Sequence, residues 1–122
     1  MAIKVIVTGS RNWTDSAEIE TQLKLLKSEY PNLMIVHGTE HGAESMVEGV
    51  CASLGIATIT VEANYSEYQD SAITRRNEEM LSAYDPHMLY CFTGNIENEP
   101  ELSKLVRNAQ QKAIITMVVG RS

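Results

Sequence analysis

A chain of 122 residues, 43% hydrophobic and 21% charged, suits one compact domain able to bury a core without disulfides or metal. Sixteen acidic against ten basic side chains give a formal net charge of −6. That balance argues against duplex nucleic acid as a partner, because phosphate neutralisation dominates such binding, yet a local cluster of arginines would still suffice for a small anionic ligand.

No signal peptide is expected, since Lys4 interrupts the first apolar run and no cleavage motif follows. No apolar run approaches the roughly 20 residues needed to span a bilayer, so no membrane partner is expected. A cytoplasmic setting is the default. Cys51 and Cys91 each lie inside an apolar segment, with no CxxC or Cys/His spacing. They read as buried structural thiols, and neither a metal site nor a cofactor is expected.

The run Ile3 to Val7 is rich in β-branched residues and stops at Thr8-Gly-Ser-Arg11, which predicts a strand. Its near-continuous apolarity suits a central parallel strand covered on both faces. Asp15 or Ser16 can cap a helix to about Tyr30, with Ile19, Leu23, Leu26 and nearby Leu25 as its apolar stripe. Leu33 to His37 predicts the second strand, closed by Gly38. A helix follows in which Met46, Val47, Val50, Cys51 and Leu54 recur at helical spacing, and Gly55 stops it.

Ile56 to Val61 predicts the third strand. The polar stretch Glu62 to Asp70 reads as a loop over one edge of a site. Another helix starts near Ser71 or Thr74 and ends at Tyr84, where Asp85-Pro86 breaks it. His87 to Phe92 predicts the fourth strand, and Asn95 to Pro100 an acidic loop. Glu99-Pro-Glu101 opens the last helix, with Leu102, Leu105, Val106 and Ala109 on its apolar side. Ala113 to Val119 predicts the fifth strand. Strand and helix alternate throughout, so the expected fold is α/β. It is a Rossmann-like three-layer sandwich whose five-stranded parallel sheet carries helices on both faces. A single domain over residues 1–122 is expected.

Ligands of open parallel sheets bind beyond the carboxyl ends of the strands, at the switch in strand order. Gly9 and Ser10 offer backbone N–H groups and a hydroxyl to an anion, and Arg11 adds charge. The motif is neither GxGxxG nor a P-loop, and a plain strand-end turn with a solvated arginine reads equally well. His37-Gly38 and Gly42 form a second candidate, beside a helix start that favours anions. The alternative for His37 is a structural role. Arg75-Arg76-Asn77 is the sharpest cationic feature, lying near a helix start where the dipole gains nothing from cations. Adjacent residues diverge by about 100° on a helix, so one of the two arginines is expected to face the site. A surface pair beside Glu78 and Glu79 is the competing account. Thr93-Gly94 closes the fourth strand, and Glu97, Glu99 and Glu101 follow. A carboxylate there can act as general base or orient a ribose hydroxyl, or simply cap the helix.

With these motifs in order, the chain resembles the SLOG superfamily of Rossmann-like domains, nearest its small bacterial and phage branch labelled YspA-like or cpYpsA-related. Gly9-Ser10-Arg11, followed by Trp13 and Asp15, is similar to that branch's GSR motif. His37-Gly38 with Gly42-Ala43-Glu44 is similar to its HG…GAD segment, Arg76-Asn77 with Met80 to its RN..M motif, and Asp85 with Phe92 to its D…F stretch. Relatives include phosphoribohydrolases of nucleoside monophosphates and sensor domains for nucleotide-derived signals of the cyclic ADP-ribose type. The resemblance therefore implies a nucleotide-derived small molecule as ligand, and a homodimer or higher homo-oligomer.

Two departures stand out. The enzymes carry PGGxGT and a glutamate after the fourth strand, where this chain has Phe92-Thr-Gly-Asn-Ile-Glu-Asn-Glu-Pro-Glu101; and Glu44 replaces the usual aspartate. Both argue against hydrolysis. The expected function is sensing or sequestering a nucleoside phosphate or ADP-ribose-type molecule. N-glycosidic hydrolysis of nucleoside 5′-monophosphates is the alternative.

Overall fold

The computed structural model describes residues 2–120. Strands β1 (Ile3–Gly9), β2 (Leu33–His37), β3 (Ala57–Thr60), β4 (Met88–Phe92) and β5 (Ile115–Val119) form one parallel sheet in the order β3-β2-β1-β4-β5. Helices α1 (Ser16–Glu29), α2 (Ala43–Leu54), α4 (Ala72–Ala83) and α5 (Pro100–Gln111) connect the strands, with a short α3 (Tyr65–Tyr68). This is the expected Rossmann-like α/β fold.

The central position of β1 follows from its composition. Val5, Ile6 and Val7 are fully buried, because alternate side chains enter the two halves of the core. Val5 and Val7 pack with Ile19, Leu23 and Leu26 of α1 and with Val47 and Cys51 of α2. Ile6 packs with Met80 and Leu81 of α4 and Leu102, Leu105 and Val106 of α5. Helices α1 and α2 thus cover one face, and α4 and α5 the other. Asp15 caps α1 by accepting from the Glu18 N–H at 3.1 Å.

Three local expectations are corrected. Leu25 lies on the solvent side of α1 and is 62% exposed, since the buried stripe needs only Ile19, Leu23 and Leu26. The stretch 62–70 is not all loop: it holds α3, capped by Asn64 through the Glu67 N–H, and leads into a 3-10 turn at Gln69–Ser71. Another 3-10 turn, Ile96–Asn98, interrupts the acidic loop before α5.

The chain winds from β1 outward to β3, then crosses back to β4 on the other side of β1. The switch in strand order therefore lies between β1 and β4, where Gly9 pairs with Phe92 and the Ser10 N–H donates to the Phe92 carbonyl at 2.9 Å. Among the described residues no helix is long and apolar enough to cross a membrane.

Candidate functional site

Beyond β1 the chain makes a tight turn, closed by the Trp13 N–H donating to the Ser10 carbonyl at 3.2 Å. That carbonyl also accepts from the Ala43 N–H at 3.1 Å, which ties the start of α2 to the turn. Gly9 and Gly42 permit this closeness. A Cβ on Gly9 would stand 2.6 Å from the Ala43 Cβ, and one on Gly42, at φ +83°, would stand 2.2 Å from the Ser10 carbonyl oxygen. Both glycines serve packing of backbone on backbone. Trp13 anchors the turn from below, buried edge-on against Phe92 with ring centroids 5.7 Å apart.

A buried charged network lies beside the turn. Glu44, in the first turn of α2, receives Arg76 Nη1 at 2.7 Å on Oε1 and Nη2 at 2.8 Å on Oε2. The Thr8 hydroxyl donates to Oε2 at 2.7 Å, and the Glu40 N–H to Oε1 at 3.1 Å. Arg76 Nη2 also donates to Asn77 Oδ1 at 2.8 Å. Each carboxylate oxygen therefore has two donors, as a buried charge requires. Gly38 makes room for the pair, since a Cβ there would stand 2.0 Å from Arg76 Nη1.

The second cluster joins β1 to the start of α5. The Thr93 hydroxyl donates to Glu99 Oε2, the Ser10 hydroxyl is within hydrogen-bond distance of the same oxygen, and Ser10 and Thr93 lie 2.7 Å apart. Glu99 is the N-cap residue of α5. Its other oxygen, Oε1, takes part in none of these bonds. At the rim, Glu40 Oε1 accepts from Arg11 Nη2 at 3.1 Å and from the Tyr65 hydroxyl at 2.8 Å. Burial, then the bond to Glu40, pushes the Tyr65 hydroxyl above its ordinary pKa.

These groups surround a cleft of about 390 Å³ at the switch point, lined on its polar side by Arg11, Asn12, Glu40, Glu44, Arg76, Asn77, Glu99 and Glu101. Gly9, Ile73, Pro100 and Leu102 supply its apolar surface. That size and lining are those of a small-molecule site. Among the described residues no cluster of His, Cys, Asp or Glu is arranged to hold a metal ion.

The structure brings Gly9, Arg11, Arg76, Asn77, Glu99 and Glu101 together at the cleft. Ser10 and Thr93 sit behind it, their hydroxyls directed to Glu99. Gly38 and Gly42 are packing positions. His37 lies outside the lining: Nδ1 is 2.8 Å from the Gly38 carbonyl, and Nε2 is 4.0 Å from a Glu48 carboxylate oxygen on α2. Arg75 is exposed, its guanidinium 4.4 Å from the centre of the Tyr68 ring, so Arg76 alone of the pair faces the cleft. Gly94 and Glu97 are exposed and away from the lining. Sequence reasoning missed Asn12, Glu40 and Tyr65, and missed Glu44 as the partner of Arg76. Tyr65 lies in the stretch 62–70 that the sequence placed over one edge of the site, but polar stretches without periodicity do not single out Glu40 or Tyr65 as the residues that meet there.

The model of a family described as YspA, cpYpsA-related SLOG matches residues 3–68, more than half of the chain, from β1 through α3. Among solved structures, the chain is similar to the X-ray structure of DNA processing protein A (DprA) from Streptococcus pneumoniae, with a TM-score of 0.54 and 16% identity. The likeness covers 98% of this chain and 59% of that one. At that identity it concerns the fold alone. No curated protein sequence matches the chain.

Proposed function

We propose, for a chain that belongs to the YspA, cpYpsA-related SLOG family, that it binds a nucleotide-derived small molecule in the cleft between β1, α4 and α5, and so senses or sequesters it. The observation that carries this reading is the cleft's place and lining. It opens at the switch point, where α/β sheets hold their ligands. It combines apolar walls from Ile73 and Leu102 for a base with carboxylates at Glu99 and Glu101 for ribose hydroxyls. Asn12 and Asn77 add amide groups of either polarity.

Thermal denaturation across a panel of nucleosides, nucleotides and ADP-ribose derivatives tests the reading. A ligand at 100 times its dissociation constant adds about 2.7 kcal/mol to stability. No shift with any member overturns it. Mass spectrometry of small molecules retained through purification then identifies the natural ligand.

A second reading, N-glycosidic hydrolysis of a nucleoside 5′-monophosphate, rests on Glu99. Two hydroxyls hold one of its oxygens, leaving the other available to stabilise positive charge developing on a ribosyl ring or to activate water. Release of free base from AMP, abolished by Glu99→Gln even at saturating AMP, would establish catalysis over simple binding.

A further inference from the structure

We infer that the cleft selects the sugar-and-base end of its ligand, tolerates a singly charged phosphodiester, and discriminates against a terminal phosphate monoester. The inference deepens the nucleotide-ligand reading and rests on it.

The first ground is the state of the two arginines. Both Nη atoms of Arg76 are engaged by Glu44, and Nη2 by Asn77 as well. Arg11 is paired with Glu40. Arg76 is committed to a buried partner, while Arg11, 63% exposed, is held by Glu40 only through a surface pair. Four carboxylates line the cleft against these two cations, leaving it a formal charge of −2. Glu99 and Glu101 have no cation within ion-pair distance among the described residues.

The second ground is the helix starts. A phosphate would seek the positive end of α2 or α5. Both ends already hold the chain's own carboxylates, Glu44 in the first turn of α2 and Glu101 in that of α5, with Glu99 as the N-cap of α5. A monoester carrying close to two charges would stand beside a like charge at either end, whereas ribose hydroxyls donate to these carboxylates directly.

The third ground is Arg76 Nε. It is buried and has no hydrogen-bond partner among the described residues, although Arg76 lines the cleft. The atom has almost no solvent-accessible surface, so it offers a phosphate no point of attachment from the cleft.

Isothermal titration at neutral pH and low salt, with adenosine, AMP and the methyl phosphodiester of AMP, tests the inference. Adenosine and the methyl ester should bind more tightly than AMP by about tenfold or more. Glu101→Gln, a change at an exposed position, should narrow that gap, and so should added salt. AMP binding as tightly as adenosine overturns the inference and leaves the ligand class standing. A gap that neither Glu101→Gln nor salt alters overturns its electrostatic origin. Absence of binding by all three, and by ADP-ribose, removes the ligand reading and the inference together.

Discussion

Arg76 of α4 grips Glu44 of α2 through both Nη atoms, at 2.7 and 2.8 Å, with the two side chains only 2% and 3% exposed. The pair bridges helices on opposite faces of the sheet, just beyond the ends of β1 and β2. A buried pair of this kind adds little over well-packed apolar residues, but removing one partner leaves the other charge unpaired. Glu44→Leu and Arg76→Met should each cost about 3–5 kcal/mol in urea denaturation. The double variant should recover much of that loss, and a double-mutant cycle measures the coupling.

Gly38 and Gly49 make opposite tests of the glycine pattern. A Cβ at Gly38 would stand 2.0 Å from Arg76 Nη1 and 2.4 Å from Glu44 Oε1, so Gly38→Ala should disturb the pair and cost about 1–3 kcal/mol. Gly49 lies inside α2 with nothing within 4 Å of the added atom. Gly49→Ala should therefore stabilise by about 0.5–1 kcal/mol. Equal effects in chemical denaturation would refute the steric account.

The two thiols should be inert in the folded protein. Burial pushes Cys91 up from 9.0 to about 12, and burial followed by the charge of Glu48 pushes Cys51 up to about 11. A thiol-specific reagent at mildly alkaline pH should leave both unmodified until denaturant is added. The folded state favours the protonated thiols, so their contribution to stability is complete below pH 9 and is lost as pH rises toward 11 and 12. Denaturation midpoints should fall over that window, and replacing both cysteines with alanine should flatten this part of the profile.

Glu99 should matter more for ligand than for fold. It is only half-buried, yet Ser10 and Thr93 hold it at the cleft. Glu99→Gln should weaken adenosine binding about tenfold or more, the scale of losing a hydrogen bond to a charged acceptor. Its unfolding free energy should change far less than that of Glu44→Leu. Titration calorimetry and urea denaturation on the same sample separate the two effects.

The α/β alternation and the central place of β1 were legible from the chain alone, and so was the strand-end turn that borders the cleft. Those properties are carried by short-range patterns: continuous β-branched runs, helical spacing, and small residues where strands stop. Tertiary structure alone decided what the site's charged groups do. Arg76 meets Glu44 from 32 residues away, and Ser10 meets Glu99 from 89 residues away. Such pairings depend on strand order, sheet register and the azimuth of each helix, none of which a local pattern encodes. The same geometry turned Arg75 outward onto Tyr68, directed His37 toward Glu48, and made Arg76 the partner of a buried carboxylate. Adjacent residues on a helix diverge by about 100°, and only the packing of α4 against the sheet selects which of them faces the cleft.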